Sequence, residues 1–271
     1  MSRDRRRGNP AREIEKLASA TVRKWVGANG IVTDTSSGND LDFRIDYHDG
    51  RVGLGEVGWH TDPRIEAMWA RTHRSETPQE IALPAGCGYW AVQLVAGANI
   101  SNLERELPAL LERLSLEGVY RHTIYGEWPR DELSHAIRSL GVTHVNRVSE
   151  STRDGAYYAM PATGGAVPRE ADVIVEWLDY LVNEDPDYTD MTAKLLRREA
   201  DERHVFVMSG SATPFGVDER LRRFDEAIPI RRPQLPEGIT HVWVAAQFSA
   251  NELLAMWSER GWVRAQFPTE H

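Results

Sequence analysis

The sequence predicts a mixed α/β fold, in which helices flank a mixed β-sheet. Apolar residues recur at spacings of three and four in some segments, as on the buried face of a helix. In other segments they form short runs or alternate with polar residues, as in strands. The two patterns take turns along the first third of the chain, which is typical of helices packed on a sheet. An apolar fraction of 41% is enough for a sizeable core.

The N-terminal part of the chain is predicted to run helix, three strands, helix and strand. The first helix ends at Gly27 and Gly30, since glycine terminates helices. The second begins at Asp62-Pro63, because Asp is a good N-cap and Pro suits the first helical position. The predicted segments are a helix at 11–26, strands at 31–35, 41–47 and 53–58, a helix at 63–75 and a strand at 89–95.

The rest of the chain carries the same patterns less regularly. No linker rich in proline and serine divides it. We therefore expect a core at 10–98 and a long α+β extension at 99–271 that packs on the same sheet. Predicted helices lie at 101–117, 130–140, 169–183 and 189–201, and predicted strands at 143–148, 156–160, 204–208 and 241–245.

Charge and cysteine content narrow the class of protein. The charged fraction is 27% and the net charge is −9, which opposes non-specific binding of nucleic acid over the whole surface. A single cysteine, Cys87, excludes an internal disulfide and a cysteine-based zinc cage. No apolar run is long enough for a membrane helix. We therefore expect a cytoplasmic protein that does not contact membranes.

Two predicted strands each carry an acidic residue among apolar neighbours. Asp42 lies in Leu41–Ile45 and Glu56 lies in Gly53–Gly58, and the linker between them contains Asp49-Gly50, a strong hairpin signal. Adjacent antiparallel strands can bring the two carboxylates close together, where they repel unless a cation or a proton lies between them. The pair therefore indicates a site for a divalent metal ion.

The segment 11–95 resembles the PD-(D/E)xK nuclease superfamily, on the strength of Leu41-Asp42-Phe43-Arg44-Ile45 and Glu56-Val57-Gly58. The resemblance implies a restriction-endonuclease-like core of order αβββαβ at 10–98. It implies that Asp42 and Glu56 ligate Mg²⁺, or Mn²⁺ in its place, that Val57 contributes its carbonyl oxygen, and that Glu13 or Glu15 on the first helix completes the site. The whole chain also resembles proteins in which such a strand pair precedes an arginine-rich helix and a long C-terminal half.

The chain departs from the pattern of this superfamily at the residue that helps to activate the attacking water. The superfamily has a lysine two positions after the Glu, and this chain has Gly58. Either the function of the lysine has moved, or the site is inactive. Lys16 on the first helix is the nearest candidate for a moved lysine, and His60 and the arginines of the second helix are weaker ones.

Three functional hypotheses remain open at this point. The first is a Mg²⁺-dependent endonuclease that cleaves DNA, contacts its phosphates through Arg64, Arg71 and Arg74, and acts in restriction or phage defence, by analogy with the superfamily as a homodimer. The second is a catalytically inactive module of the same fold that binds nucleic acid or a protein. The third is an acidic partner-binding protein. A simpler interpretation of Asp42 is that it lies on the solvent side of an amphipathic strand.

Overall fold

The structure is a computed structural model that describes residues 10–35, 41–74, 77–123, 132–148, 153–162, 168–222, 228–246, 252–257 and 259–266. These residues form two compact units. The main unit contains the described residues within 1–61 and 165–271, and the inserted unit contains those within 62–164. The inserted unit therefore interrupts the main unit along the sequence.

Helices and strands alternate along the described residues. The helices are α1 (Pro10–Val26), α2 (Pro63–Thr72), α3 (Ile100–Leu116), α4 (Glu132–Ser139), α5 (Val173–Glu184), α6 (Pro186–Leu196) and α7 (Phe215–Arg222), with a short 3-10 helix at Gly27–Asn29. The strands are β1 (Gly30–Asp34), β2 (Phe43–Tyr47), β3 (Val52–His60), β4 (His73–Arg74), β5 (Thr77–Pro78), β6 (Glu80–Ala82), β7 (Tyr89–Leu94), β8 (Arg121–Thr123), β9 (Val142–Arg147), β10 (Ala156–Pro161), β11 (Glu202–Ser209), β12 (His241–Ala245), β13 (Glu252–Trp257) and β14 (Gly261–Gln266).

The main unit is built on a seven-stranded mixed sheet of order β1-β2-β3-β11-β12-β13-β14. The strands β3, β11 and β12 are parallel to one another, and the remaining neighbours are antiparallel. The β2–β3 connection is a tight hairpin, in which the Gly50 N–H donates to the Tyr47 carbonyl oxygen over 3.0 Å. Gly50 adopts a φ of 88°, which glycine reaches without strain and which explains the predicted Asp-Gly turn.

Both faces of the central strands β11 and β12 are buried, so these strands have apolar side chains on each face. One face packs against α1 and contains Phe43, Phe206 and Trp243. The opposite face packs against α5, α6 and α7 and contains Val205 and Val207. The alternation along β11 thus places Val205 and Phe206 in two different cores, as expected for a strand covered on both sides.

The inserted unit has its own sheet and core. The five-stranded sheet has the order β6-β10-β7-β9-β8, with β7 and β10 parallel and the other pairs antiparallel. Its apolar face carries Trp90, Val92 and Tyr157 and packs against leucines of α3 together with residues of α2 and α4. A short β4–β5 ladder completes this unit.

The predicted α/β class is confirmed, with mixed sheets flanked by helices. The arrangement of the strands differs from the prediction. The strand predicted at 89–95 is β7, which pairs with β9 and β10 in the second sheet, whereas the parallel neighbour of β3 is β11. The two compact units meet at residues 61/62 and 164/165, and the predicted boundary between core and extension lies at residue 98. Apolar patterning identifies strands but not their partners, which explains the difference.

The described helices were also compared with the requirements for crossing a bilayer. Among the residues that the structure describes, no helix combines the necessary length and hydropathy.

Candidate active site

Asp42 lies immediately before β2, beside Glu56 on β3. The last antiparallel pair of the two strands is Phe43 with Gly55, and one step further the chain places Asp42 next to Glu56. The Asp42 N–H donates to the Gly55 carbonyl oxygen over 3.1 Å, and the Asp42 Oδ2 accepts a hydrogen bond of 2.8 Å from the Val57 N–H. The register of the hairpin therefore makes Asp42 and Glu56 neighbours on adjacent strands, and the Val57 N–H fixes the orientation of the Asp42 carboxylate.

Glu56 is buried and forms an ion pair with a lysine from a distant helix. Its residue exposure is 6%, and its Oε1 lies 2.8 Å from the Nζ of Lys194 on α6. Glu56 follows Leu54 on the face of the sheet that packs against α5 and α6. The side chain of Lys194 is 34% exposed, so its ammonium group joins the buried carboxylate to solvent. We refer to Asp42, Glu56 and Lys194 as the Asp42 cluster.

The local sequence of α6 explains how Lys194 reaches Glu56. Asp185 caps the helix by accepting hydrogen bonds from the N–H groups of Asp187 and Tyr188, and Pro186 takes the first helical position. Tyr188 and Leu195 bury the apolar face of the helix in the core. Lys194 directly precedes Leu195 and therefore lies at the margin of that face.

Opposing effects act on the pKa of the Asp42 carboxyl. Burial raises the pKa of the Asp42 carboxyl above its usual value, and the nearby Asp34 raises this pKa further. The Val57 N–H and the charge of Lys194 act in the opposite direction on the same pKa. A cation bound at this carboxylate would lower its pKa in the same way as Lys194.

The space that a side chain at position 58 would need is filled by Tyr188. A Cβ atom added to Gly58 would lie 2.6 Å from Tyr188 Cε1 and 2.9 Å from its hydroxyl oxygen. Gly58 stands two residues after Glu56 and therefore on the same face of the strand. The tyrosine thus occupies the place where the resemblance would put a lysine, and the same helix supplies Lys194 instead.

A second glycine of β3, Gly55, is explained by an aromatic ring on the opposite face of the sheet. A Cβ on Gly55 would lie 1.9 Å from Phe43 Cζ, because the phenylalanine ring lies flat over this position. The glycines around Glu56 indicated a close approach of another group. The groups that approach β3 are two aromatic rings, that of Tyr188 on one face of the sheet and that of Phe43 on the other.

Glu13 and Lys16, the other predicted catalytic residues, lie on α1. The Lys16 Nζ pairs with Glu13 Oε1 over 3.1 Å, and both side chains are 62% exposed. Helix α1 covers the face of the sheet opposite to Lys194. The structure therefore brings Asp42 and Glu56 together but pairs Glu13 with Lys16 at the surface. Val57 contacts Asp42 through its N–H, whereas the resemblance implied a role for its carbonyl oxygen.

The three arginines predicted to bind nucleic acid belong to the inserted unit. Arg64 forms an ion pair with Asp62, whose Oδ2 lies 2.6 Å from the Arg64 Nη2, and its side chain is 72% exposed. Arg71 is exposed near the end of α2. Arg74 is in β4, and its side chain lies outside the part of the chain that the structure describes.

Sequence reasoning missed Lys194. The chain has only three lysines, at positions 16, 24 and 194, and this short list is the signal that could have identified Lys194. Proximity along the sequence favoured Lys16. The parallel pairing of β3 with β11, which was not predictable, brings α6 over Glu56.

A second polar cluster lies at the start of β11 and β12. Glu202, His204 and His241 have potential ligand atoms within 4.8 Å of one another, and within the described ranges this is the one set of three or more such residues. It adjoins an open pocket of about 660 Å³, lined among others by Trp25, Tyr47 and Arg51. We refer to Glu202, His204 and His241 as the Glu202 cluster.

Hydrogen-bond donors already surround the carboxylate of Glu202. Its Oε2 accepts a hydrogen bond of 2.5 Å from the Tyr47 hydroxyl and lies 3.4 Å from the His204 Nε2. Its Oε1 accepts a hydrogen bond of 2.5 Å from the Arg51 guanidinium. The hydrogen bonds from Tyr47 and His204 hold the pKa of Glu202 down at about 2, against the burial that would raise it.

The surroundings of His204 disfavour its use as a metal ligand. The indole N–H of Trp243 donates to His204 Nδ1 over 3.1 Å, so the proton of the neutral ring is assigned to Nε2. That proton faces the Glu202 carboxylate, where a metal would need a lone pair. The rings of His204 and His241 are stacked, with centroids 4.3 Å apart and planes within 9°. The Asp42 cluster differs in that its buried Glu56 carboxylate pairs with an ammonium group that is partly exposed to solvent.

The chain was compared with known proteins by family, by sequence and by structure. No protein-family model, curated protein or solved structure matches it. The fold and the site define its class: an α/β protein whose seven-stranded sheet carries a half-buried Asp–Glu–Lys cluster.

Proposed function

We propose that this chain is a nuclease that hydrolyses phosphodiester bonds in DNA with Mg²⁺ or Mn²⁺ bound at Asp42 and Glu56. The observation that carries the proposal is the 2.8 Å ion pair between Lys194 Nζ and Glu56 Oε1, beside Asp42. Lys194 supplies the cationic group that the superfamily carries two positions after the Glu, where this chain has Gly58. The resemblance to the PD-(D/E)xK superfamily requires an Asp, a Glu and a lysine in one site, and this cluster has all three.

The order of elements in the main unit supports the same proposal. Without the inserted unit, the chain runs α1, three antiparallel strands, α5 and α6, and then β11 parallel to β3. This is the αβββαβ order that the resemblance implies, interrupted between β3 and α5. The inserted unit begins directly after the strand that carries Glu56.

The donor set of the Asp42 cluster suits a hard divalent cation. Mg²⁺ prefers oxygen ligands, and protein sites often give it one or two carboxylates and leave the remaining positions to water and to substrate phosphate. Asp42 and Glu56 supply two carboxylates from neighbouring strands. Nitrogen and sulfur ligands, which select other metals, are absent from this cluster.

Each residue of the cluster then has a defined task. A bound cation would polarise the scissile phosphate and lower the pKa of an attacking water. The Val57 N–H holds the Asp42 carboxylate in position through Oδ2, so Oδ1 is the oxygen that would take part in holding a cation. Lys194 places its ammonium group beside Glu56, where it orients a water molecule and stabilises the charge that develops on the phosphate oxygens. The partial exposure of Lys194 allows a phosphate to approach from solvent.

A cleavage assay with matched lysine variants tests the proposal. Purified protein is incubated with linear, plasmid and single-stranded DNA in Mg²⁺ and in Mn²⁺. We expect Lys194→Ala to lower the cleavage rate by roughly 100-fold or more, in line with the loss of an electrostatic stabiliser. Lys16→Ala is the control, since Lys16 pairs with Glu13 at the surface, and its rate should stay within about twofold of wild type. Equal rates for the two variants would refute the role of Lys194.

Calorimetric titration with Mg²⁺ separates metal binding from cleavage. We expect saturable binding to the wild type that disappears in Asp42→Asn and in Glu56→Gln, whereas Glu13→Gln should bind as the wild type does. Binding without cleavage of any substrate would favour the catalytically inactive module. Absence of both binding and cleavage would refute the nuclease proposal for this site.

A further inference from the structure

The sheet of the inserted unit has one face that lies opposite to its core. Helices α2, α3 and α4 pack on one face, where Trp90, Val92 and Tyr157 are buried. The alternate residues of the same strands are partly or fully exposed, and no described helix of this unit covers them. We call this surface the open face. The residues of it that matter here are Tyr89, Gln93, Arg121, His144, Asn146 and Tyr158.

Two tyrosine rings meet at the centre of the open face. Tyr89 on β7 and Tyr158 on β10 have ring centroids 5.5 Å apart, with planes tilted by 36°. Each ring stands beside an alanine in the strand register, because Tyr89 pairs with Ala156 and Tyr158 pairs with Ala91. These small neighbours leave room for a flat group against the rings.

Apart from alanines and Met160, the other side chains of the open face are polar. Gln93, His144 and Asn146 can each donate and accept hydrogen bonds. Arg153 lies over the ring of Tyr89 at 5.7 Å, and Arg121 lies exposed on the outer strand β8. Glu80 on this face is paired with Arg153 and accepts a hydrogen bond from the Tyr89 hydroxyl. The nearby Asp154 carboxylate accepts hydrogen bonds from the N–H groups of Gly86 and Gly88.

This composition contrasts with that of the whole chain. The chain carries 41 acidic residues against 32 lysines and arginines. On the open face Glu80 is neutralised by Arg153, the Asp154 carboxylate is held by backbone N–H groups, and the exposed Arg121 offers a positive charge to an anion. This difference therefore favours a ligand that carries negative charge over a neutral one.

We infer that the open face binds single-stranded nucleic acid, with bases stacked on Tyr89 and Tyr158 and the backbone contacted by Arg121 and Arg153. An antiparallel or mixed sheet that displays aromatic rings between polar residues can stack two or three bases. Stacking is tolerant of sequence, and Asn, Gln and His offer hydrogen bonds to base edges. This inference names the substrate class for the proposed nuclease and in that sense rests on it, but binding can be measured without any cleavage.

Fluorescence anisotropy on the full-length protein tests the inference. The probes are labelled 12-nucleotide oligo(dT) and oligo(U) and a 12-base-pair duplex, in buffer with EDTA and low salt. EDTA removes the metal, so a failure to bind here is distinct from a failure of the Asp42 cluster to cleave. We expect both single strands to bind more tightly than the duplex. A preference between the two identifies DNA or RNA as the ligand.

Tyrosine variants locate the site on the open face. The double variant Tyr89→Ala, Tyr158→Ala should weaken binding at least tenfold, the loss expected for removal of stacking. The variant Tyr89→Phe, Tyr158→Phe keeps both rings and should stay within about threefold of wild type. Tyr180→Ala is the control, because Tyr180 is an exposed tyrosine on α5 in the main unit. Circular dichroism verifies that each variant is folded.

Three results would overturn the inference. The first is the absence of binding of either single strand by the wild type, and the second is equal binding of single strand and duplex. The third is an unchanged affinity in the alanine double variant with its folding intact. A loss of affinity in the phenylalanine double variant equal to that in the alanine variant would also contradict stacking as the basis.

Discussion

Each of the two polar clusters of the main sheet contains a largely buried carboxylate, but the side chains around the two carboxylates differ. Glu56 on β3 pairs with Lys194, whose side chain is partly exposed to solvent. Glu202 on β11 has three donors, from Tyr47, Arg51 and His204. The first carboxylate lies on the α6 face, and the second lies on the α1 side of the sheet with His204. Burial of an acid therefore does not by itself distinguish a site from a structural network.

The donors around Glu202 limit its capacity to bind a further ligand. A carboxylate has about four lone-pair sites, so three donors leave Glu202 little capacity for a ligand. Glu56 has the Lys194 ammonium group, which a bound cation or phosphate could displace or share. We regard the Glu202 cluster as a structural network and the Asp42 cluster as the candidate site. The following expectations test that contrast.

The largest expected effect comes from removing one charge in each cluster by isosteric substitution. We expect Glu202→Gln to lower the free energy of unfolding by about 3 kcal/mol, because it leaves the Arg51 and His204 donors without their anion. Glu56→Gln should change it by less than about 1 kcal/mol, since Lys194 can turn to solvent. Urea unfolding of both variants at pH 7.5 measures the difference. Equal losses would make Glu56 as structural as Glu202.

The stacked histidines of the Glu202 cluster predict a loss of stability in mild acid. Burial lowers the pKa of His204 below its usual value, and burial together with the neighbouring His204 lowers the pKa of His241 to about 2. Glu202 acts against both shifts, and Arg51 and Arg260 add to that of His241. Both rings are therefore neutral when folded and take up protons when unfolded. Stability is retained above pH ~6.5 and falls below it.

The expected size of this loss is about 2–3 kcal/mol between pH 7.5 and 5.5, for the two rings together. Urea unfolding at these two pH values measures it. The variant His241→Gln should reduce the loss by roughly half, because one of the two protonation sites is removed. His48→Gln, at an exposed position, should leave it unchanged. A loss that is the same in His241→Gln and in the wild type would show that these rings are not its source.

Sequence patterns predicted the local elements well and their assembly poorly. The hairpin with Asp42 and Glu56 was predictable, because both strands and the Asp49-Gly50 turn are contiguous in sequence. The partner of β3 was not, because β11 pairs with it across the whole inserted unit. The same limit applies to the site. Two carboxylates came from one hairpin and were found, whereas Lys194 came from a helix more than a hundred residues away.

The smallest expected effect concerns Gly58 and shows why the predicted lysine position is closed. We expect Gly58→Ala to lower the free energy of unfolding by about 2 kcal/mol, because its Cβ would lie 2.6 Å from Tyr188 Cε1. In a Tyr188→Ala background the ring is gone, and the same substitution should cost roughly 1 kcal/mol or less. A double-mutant cycle by urea unfolding measures this coupling. Gly58→Lys adds a longer side chain at the same crowded place, so it should destabilise the protein without raising cleavage. An increase in cleavage with Gly58→Lys would contradict the assignment of the lysine function to Lys194.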